Sequence, residues 1–126
     1  MSHYHYDNCR LNTETTNGGV IDGDTVDLLI VKSVGFGVDA VIKTRMRLNG
    51  IDTPELRGGT DETKAAARQA KARLAELLTG RVFTVVSHKT SKYGLWLADI
   101  YTNDGVDVNK ILLDEGLAVP YFGGTK

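Results

Sequence analysis

Two short acidic turns and one arginine are the residues best equipped for chemistry in this chain: Asp22-Gly23-Asp24-Thr25 near its start, then Arg47, then Asp52-Thr53-Pro54-Glu55. Carboxylates on two tight turns can converge on a hard cation such as Ca2+, which prefers several oxygen ligands. A guanidinium beside them can fork onto phosphate oxygens. Together these suit phosphodiester hydrolysis. Each part also has a plainer reading: an Asp beside Gly or Thr-Pro commonly caps its own turn, and a strand arginine commonly sits in a surface ion pair. An EF-hand is a poor rival. Counting from Asp22, the sixth position is Asp27 where that loop needs glycine, and no glutamate stands at the twelfth.

Strands must position these groups. Thr25 to Val31 is apolar and β-prone. Val38 to Leu48 alternates, with Val38, Ala40, Ile42, Met46 and Leu48 on one side and Asp39, Lys43, Arg45 and Arg47 on the other. Arg45 and Arg47 therefore project the same way, and Ser33 to Gly37 reads as the turn between the two strands. Asp61 to Leu78 reads as a helix, with acidic residues at its start, Ala67, Ala70, Leu74 and Leu77 on one stripe and Gly80 past its end. Arg81 to His88 and Leu95 to Tyr101 read as further strands. Val108 to Glu115 reads as a second helix, and Leu117 to Tyr121 as an extended tail. With Asn17 to Ile21 as the first strand, the order suits a five-stranded Greek-key barrel of the OB type. That reading makes residues 1–16 an N-terminal extension, poorly ordered or an edge segment, 17–122 the domain and 123–126 a tail.

With 126 residues, 41% of them hydrophobic and 25% charged, the chain suits one soluble domain with a real core. No stretch approaches the roughly 18 consecutive apolar residues of a membrane helix. The N-terminal residues lack the pattern of a signal peptide, so a cytoplasmic location is expected. Net charge of -1 gives no global attraction to nucleic acid. Local basic clusters exist at Lys64, Arg68, Lys71 and Arg73, at Arg45 and Arg47, and at Lys89 and Lys92, the first reading best as a solvated helix face. Cys9, the single cysteine, reads as an incidental thiol, Trp96 as core, and His88 as a strand-end surface residue. The spacing of His3 and His5 is weak evidence for a metal.

Ile21-Asp22-Gly23-Asp24-Thr25-Val26, then Arg47-Leu48 running into Ile51-Asp52-Thr53-Pro54-Glu55, then Lys92-Tyr93-Gly94 resemble the staphylococcal nuclease family over about Val20 to Tyr121. The resemblance implies a mainly β (α+β) fold: a five-stranded OB-fold Greek-key barrel with two packed helices, the family's last C-terminal helix being absent. It also implies a monomeric Ca2+-dependent, sugar-non-specific nuclease acting on DNA or RNA, preferably single-stranded or denatured, and leaving 3'-phosphates. On the matching positions, Asp24, Asp52 and the Thr53 carbonyl become metal ligands, and Arg47 and Glu55 become catalytic. Lys92, Tyr93 and Tyr121 become substrate-binding. One position departs: Leu95 stands where the family has a second arginine that contacts the reacting phosphate, so attenuated activity is expected. A non-catalytic OB-type module that binds nucleic acid is the competing reading.

Overall fold

The computed structural model describes residues 3–54, 60–90 and 95–121. Among them run β1 (His3–Leu11), β2 (Val20–Asp22), β3 (Thr25–Gly35), β4 (Val38–Leu48), β5 (Ile51–Asp52), α1 (Asp61–Leu78), β6 (Phe83–Thr90), β7 (Trp96–Tyr101), α2 (Val108–Asp114) and β8 (Val119–Pro120). Five strands close a barrel in the order β1-β6-β7-β4-β3, sealed by pairing of β1 with β3. The β4–β7 pair is parallel and the other barrel pairs are antiparallel. A parallel pair requires a crossover, and here α1 and β6 supply it. This is the expected mainly β barrel with two helices.

The first barrel strand differs from the one expected. It is His3–Leu11, paired with β6 along most of its length and with β3 at Cys9 to Leu11. Residues read as an extension thus form a barrel wall, with Cys9 and Leu11 in the core. A register shift between Tyr6 and Cys9 breaks the two-residue alternation, and that break hides the strand from a periodicity reading. Within Asn17 to Ile21 the chain first makes a 3-10 turn in which Asn17 (φ 59°) and Gly18 (φ 67°) are left-handed, and only then enters β2.

The barrel is filled by Leu28, Ile30, Leu48, Phe83, Val85 and Ile100, among others, and α1 packs Leu74 and Leu78 against them. The buried stripe of α1 is Ala67, Ala70, Leu74 and Leu78, with Leu77 only partly covered. Thr60 caps this helix by accepting from the Thr63 amide, and Asp61 and Glu62 face the positive end of its dipole. A bidentate pair from Arg73 to Glu115 (2.8 and 2.9 Å) ties α1 to the end of α2. Trp96 is half-buried against the core and tilts onto Tyr4 at 5.6 Å between ring centres. Of the inward set expected on β4, only Met46 and Leu48 are buried; Val38 and Ile42 are exposed because the β3–β4 hairpin runs on past the barrel. Among the described residues no helix is long and apolar enough to cross a membrane.

Cys9 is fully buried, and burial pushes its thiol up to about 11 from the ordinary 9.0. The unfolded thiol ionises first as pH rises. Folding stability is therefore undiminished by this group below pH 9.0 and falls between there and about 11. We expect the natural chain to lose more stability than Cys9→Ala between about pH 8 and about pH 10.5, as read by urea denaturation. Equal losses would contradict a buried, hard-to-ionise thiol.

Candidate active site

The turn Asp22-Gly23-Asp24-Thr25 joins β2 to β3, and its position is fixed by backbone. The Leu48 amide donates to the Asp24 carbonyl at 2.7 Å, and Thr25 stands opposite Arg47 in the β3–β4 register. Arg47 lies on the outer face near the end of β4. The chain then turns through Asn49-Gly50 into β5, which pairs with β8 so that Asp52 faces Val119. The Tyr121 amide closes this corner by donating to the Gly50 carbonyl at 2.9 Å. The β2–β3 turn, the β4–β5 corner and the chain end at β8, remote from one another in sequence, thus meet at one place.

Arg47 sits at the centre of the cluster. Its guanidinium lies 3.3 Å from Asp24 Oδ2, donates to Asp52 Oδ1 at 3.1 Å and to the Ile51 carbonyl at 3.3 Å, and stacks over the Tyr121 ring at 5.2 Å. Only 13% of the Arg47 side chain and 7% of the Asp24 side chain remain exposed, against 27% for Asp52, so the Arg47–Asp24 pair is largely desolvated and Asp52 opens the triad to solvent. Asp24 is held from both sides: Thr25 Oγ1 donates to Oδ1 and the Thr53 amide donates to Oδ2, each at 3.1 Å. The carboxylates of Asp24 and Asp52 outnumber the one guanidinium between them. Their hard oxygens, with the Thr53 carbonyl nearby in sequence, form a donor set suited to a divalent cation. Thr53 Oγ1 is buried there without a hydrogen-bond partner among the described residues, an unmet polar atom at the same site. Among the described residues no group of three acidic, histidine or cysteine side chains converges. The expected third carboxylate, Glu55, lies outside them, as do Lys92 and Tyr93.

Three features escaped the sequence reading. Gly23 has no room for a side chain, since an added Cβ would fall 2.7 Å from Ala70 Cβ and 3.0 Å from Thr53 Oγ1. The alanine-rich face of α1 is what lets the acidic turn dock. We expect Gly23→Ala to cost about 2 kcal/mol by overpacking, measured by urea denaturation, and Ala70→Gly to recover part of that loss. A neutral Gly23→Ala would mean the turn is not clamped. The second feature is Asn109 in α2. Buried, it donates from Nδ2 to the carbonyls of Asn49 and Ala98 at 3.0 Å each, pinning the corner before Asp52 to β7. A polar residue within an apolar helix face was its only signal. The third is the chain from His88 to Asp99 (2.6 Å) to Asn49 (3.2 Å), which holds the same corner from the other side. His88 is therefore a bonded strand residue rather than a bare surface one.

Arg45 projects on the same face as Arg47 but is committed elsewhere. Its bidentate bonds to Asp27, at 2.7 and 3.1 Å, hold the Asp27 carboxyl below the usual carboxylate range. It is poorly placed to replace the arginine missing at Leu95. That leucine is half-buried just before β7. Leu97, two residues further on, stands opposite Arg47 in the parallel β4–β7 register.

The model of the staphylococcal nuclease homologue family matches residues 45–126, more than half of the chain. The chain belongs to that family. A protein of Escherichia coli O157:H7 named an uncharacterized endonuclease is 28% identical over 102 residues, covering 81% of this chain and 57% of its own length. The staphylococcal-like nuclease CAN1 of Arabidopsis thaliana is 33% identical over 84 residues, covering 67% of this chain and 24% of its own. The chain thus spans little more than half of the first relative and a quarter of the second. The family match begins after the Asp22–Thr25 turn. Placement of Asp24 beside the family's Arg47 and Asp52 positions therefore comes from the geometry, independently of that match.

Proposed function

We propose that this chain is a Ca2+-dependent nuclease that hydrolyses phosphodiester bonds of single-stranded or denatured DNA or RNA, without regard to the sugar, and leaves 3'-phosphates. The observation that carries the reading is the guanidinium of Arg47 held between Asp24 and Asp52 beside the Tyr121 ring. Asp24, Asp52 and the Thr53 carbonyl are the residues to hold the cation. When bound, it would supply Lewis-acid stabilisation of charge on the phosphate. Arg47 can turn its fork from Asp52 to the phosphate oxygens and stabilise the charge gathering there. Glu55 is assigned to orient the attacking water, and Lys92 and Tyr93, with Tyr121, to hold the neighbouring phosphate and base; stacking on tyrosine tolerates any base.

Leu95 favours a second reading, a module that binds strands without cutting them. Heat-denatured DNA incubated with Ca2+ or EDTA separates the two. The nuclease reading expects cleavage with Ca2+, none with EDTA, and none from Asp52→Ala or Glu55→Ala. Salt-dependent binding without cleavage would select the module, and cleavage that survives EDTA and both substitutions would reject the proposed site.

A further inference from the structure

We propose that the protein pairs with a second copy of itself along the edge of β4 that no described strand covers, in an antiparallel, two-fold arrangement centred on Val41. The β3–β4 ribbon projects beyond the barrel. β1 covers β3 only as far as Ile30, and β7 pairs with β4 only from Met46 to Leu48. Among the described residues no strand pairs with the outer edge of β4 from Val38 to Arg45. Exposed strand edges are templates for another strand, and proteins normally blunt them. This one carries Asp39, Lys43 and Arg45, yet the ribbon it borders also bares large apolar side chains: Val34, Val38 and Val41 are each more than half exposed, Ile42 is 42% exposed, and Phe36 at the hairpin tip is wholly exposed. Large apolar side chains gathered on a ribbon without a core of its own mark a contact surface.

The order of residues on that edge points to a second copy as the occupant. When β4 is laid antiparallel on itself with Val41 opposite Val41, Ala40 falls opposite Ile42 and Asp39 falls opposite Lys43. The two-fold axis makes the charged pair twice. Asp39, Val41 and Lys43 share one face by the two-residue period, so each carboxylate meets an ammonium on the same side of the new sheet. Within their own chain Asp39 stands opposite Ser33 and Lys43 opposite Leu29, so neither finds its opposite charge in the hairpin register. Centring on Ile42 instead would set Val41 against Lys43 and give Asp39 only Arg45, which Asp27 already holds. Centring on Ala40 would set Asp39 against Val41. Of these three, only the Val41 register sets Asp39 against Lys43 while keeping residues 40 to 42 apolar against apolar. This arrangement is an alternative to the monomer expected from sequence, and it stands apart from the nuclease reading because Asp39 and Lys43 lie outside the candidate site.

Sedimentation of the natural chain, without nucleic acid, from about 1 µM to about 1 mM tests the pairing. A monomer–dimer equilibrium is expected. Asp39→Lys and Lys43→Asp should each weaken self-association by about tenfold or more, because like charges then face each other twice. The double variant Asp39→Lys/Lys43→Asp should recover it, and an equimolar mixture of the two single variants should form the mixed dimer in preference to either homodimer. Circular dichroism checks that each variant is folded. A natural chain that stays monomeric throughout this range overturns the proposal, as does association that appears only when single-stranded DNA is added. A dimer that neither single substitution weakens also overturns it, since another face would then hold the copies together.

Discussion

Leu95→Arg is expected to raise the rate of cleavage of denatured DNA by about a hundredfold to a thousandfold while leaving Ca2+ affinity nearly unchanged, because a donor aimed at developing phosphate charge is worth that much. The structural case rests on register. Leu97 stands opposite Arg47, and residue 95, just before β7, lies two positions earlier on the same side, so a guanidinium there starts from the segment that enters the strand beside β4. Of the other cations that could reach the same oxygen, Arg45, Arg57, Lys89 and Lys92, the first is bound on two nitrogens by Asp27, and Arg57 and Lys92 lie outside the described residues. The proposed ligands Asp24, Asp52 and Thr53 belong to other elements, so metal affinity has no reason to move. Single-turnover rates and Ca2+ titration of the natural and Leu95→Arg chains provide the check. A folded Leu95→Arg chain that cuts no faster would show that the missing arginine does not limit this site.

Arg47→Ala should lose cleavage by about a thousandfold or more, and in EDTA it should also lose about 3 kcal/mol of folding stability, the cost typical of breaking a buried ion pair. Asp24 supplies the reason. Its side chain is 7% exposed, and in the folded chain Arg47 is the cation beside it. Two companion measurements separate stability from catalysis. Adding Asp24→Asn to Arg47→Ala should recover part of the stability and none of the activity. Adding Ca2+ to Arg47→Ala should shrink the stability loss, because a cation beside Asp24 and Asp52 supplies the missing countercharge. If urea denaturation of Arg47→Ala in EDTA matches the natural chain, the Arg47–Asp24 pair is not as desolvated as its burial indicates.

The edge of β4 left uncovered by the described residues and the candidate site share one cause. An eleven-residue strand that is walled on both sides only at its last few residues leaves its first half to project. The same strand therefore presents Arg47 where β3, β5 and β8 converge and an apolar ribbon where nothing else in the described chain covers it.

By itself the sequence determined the elements whose cues are local. Alternation marks β4 from Val38 to Leu48; acidic residues at its start, the Ala67-Ala70-Leu74 stripe and Gly80 past its end mark α1; and the Asp-Gly-Asp and Asp-Thr-Pro turns mark where carboxylates leave the strands. Period and turn chemistry act between residues a few positions apart, so one sequence suffices to see them. Tertiary structure decided what depends on register between distant segments. It made His3–Leu11 the closing strand, because barrel closure is satisfied by pairing with β6 and β3 and not by propensity at residues 17–21. It gave the two neighbouring arginines opposite fates: Arg45 is spent on Asp27, while Arg47 is shared between Asp24 and Asp52. Two residues apart on one face, they are alike in sequence, and only the side chains brought across from β3 and β5 tell them apart.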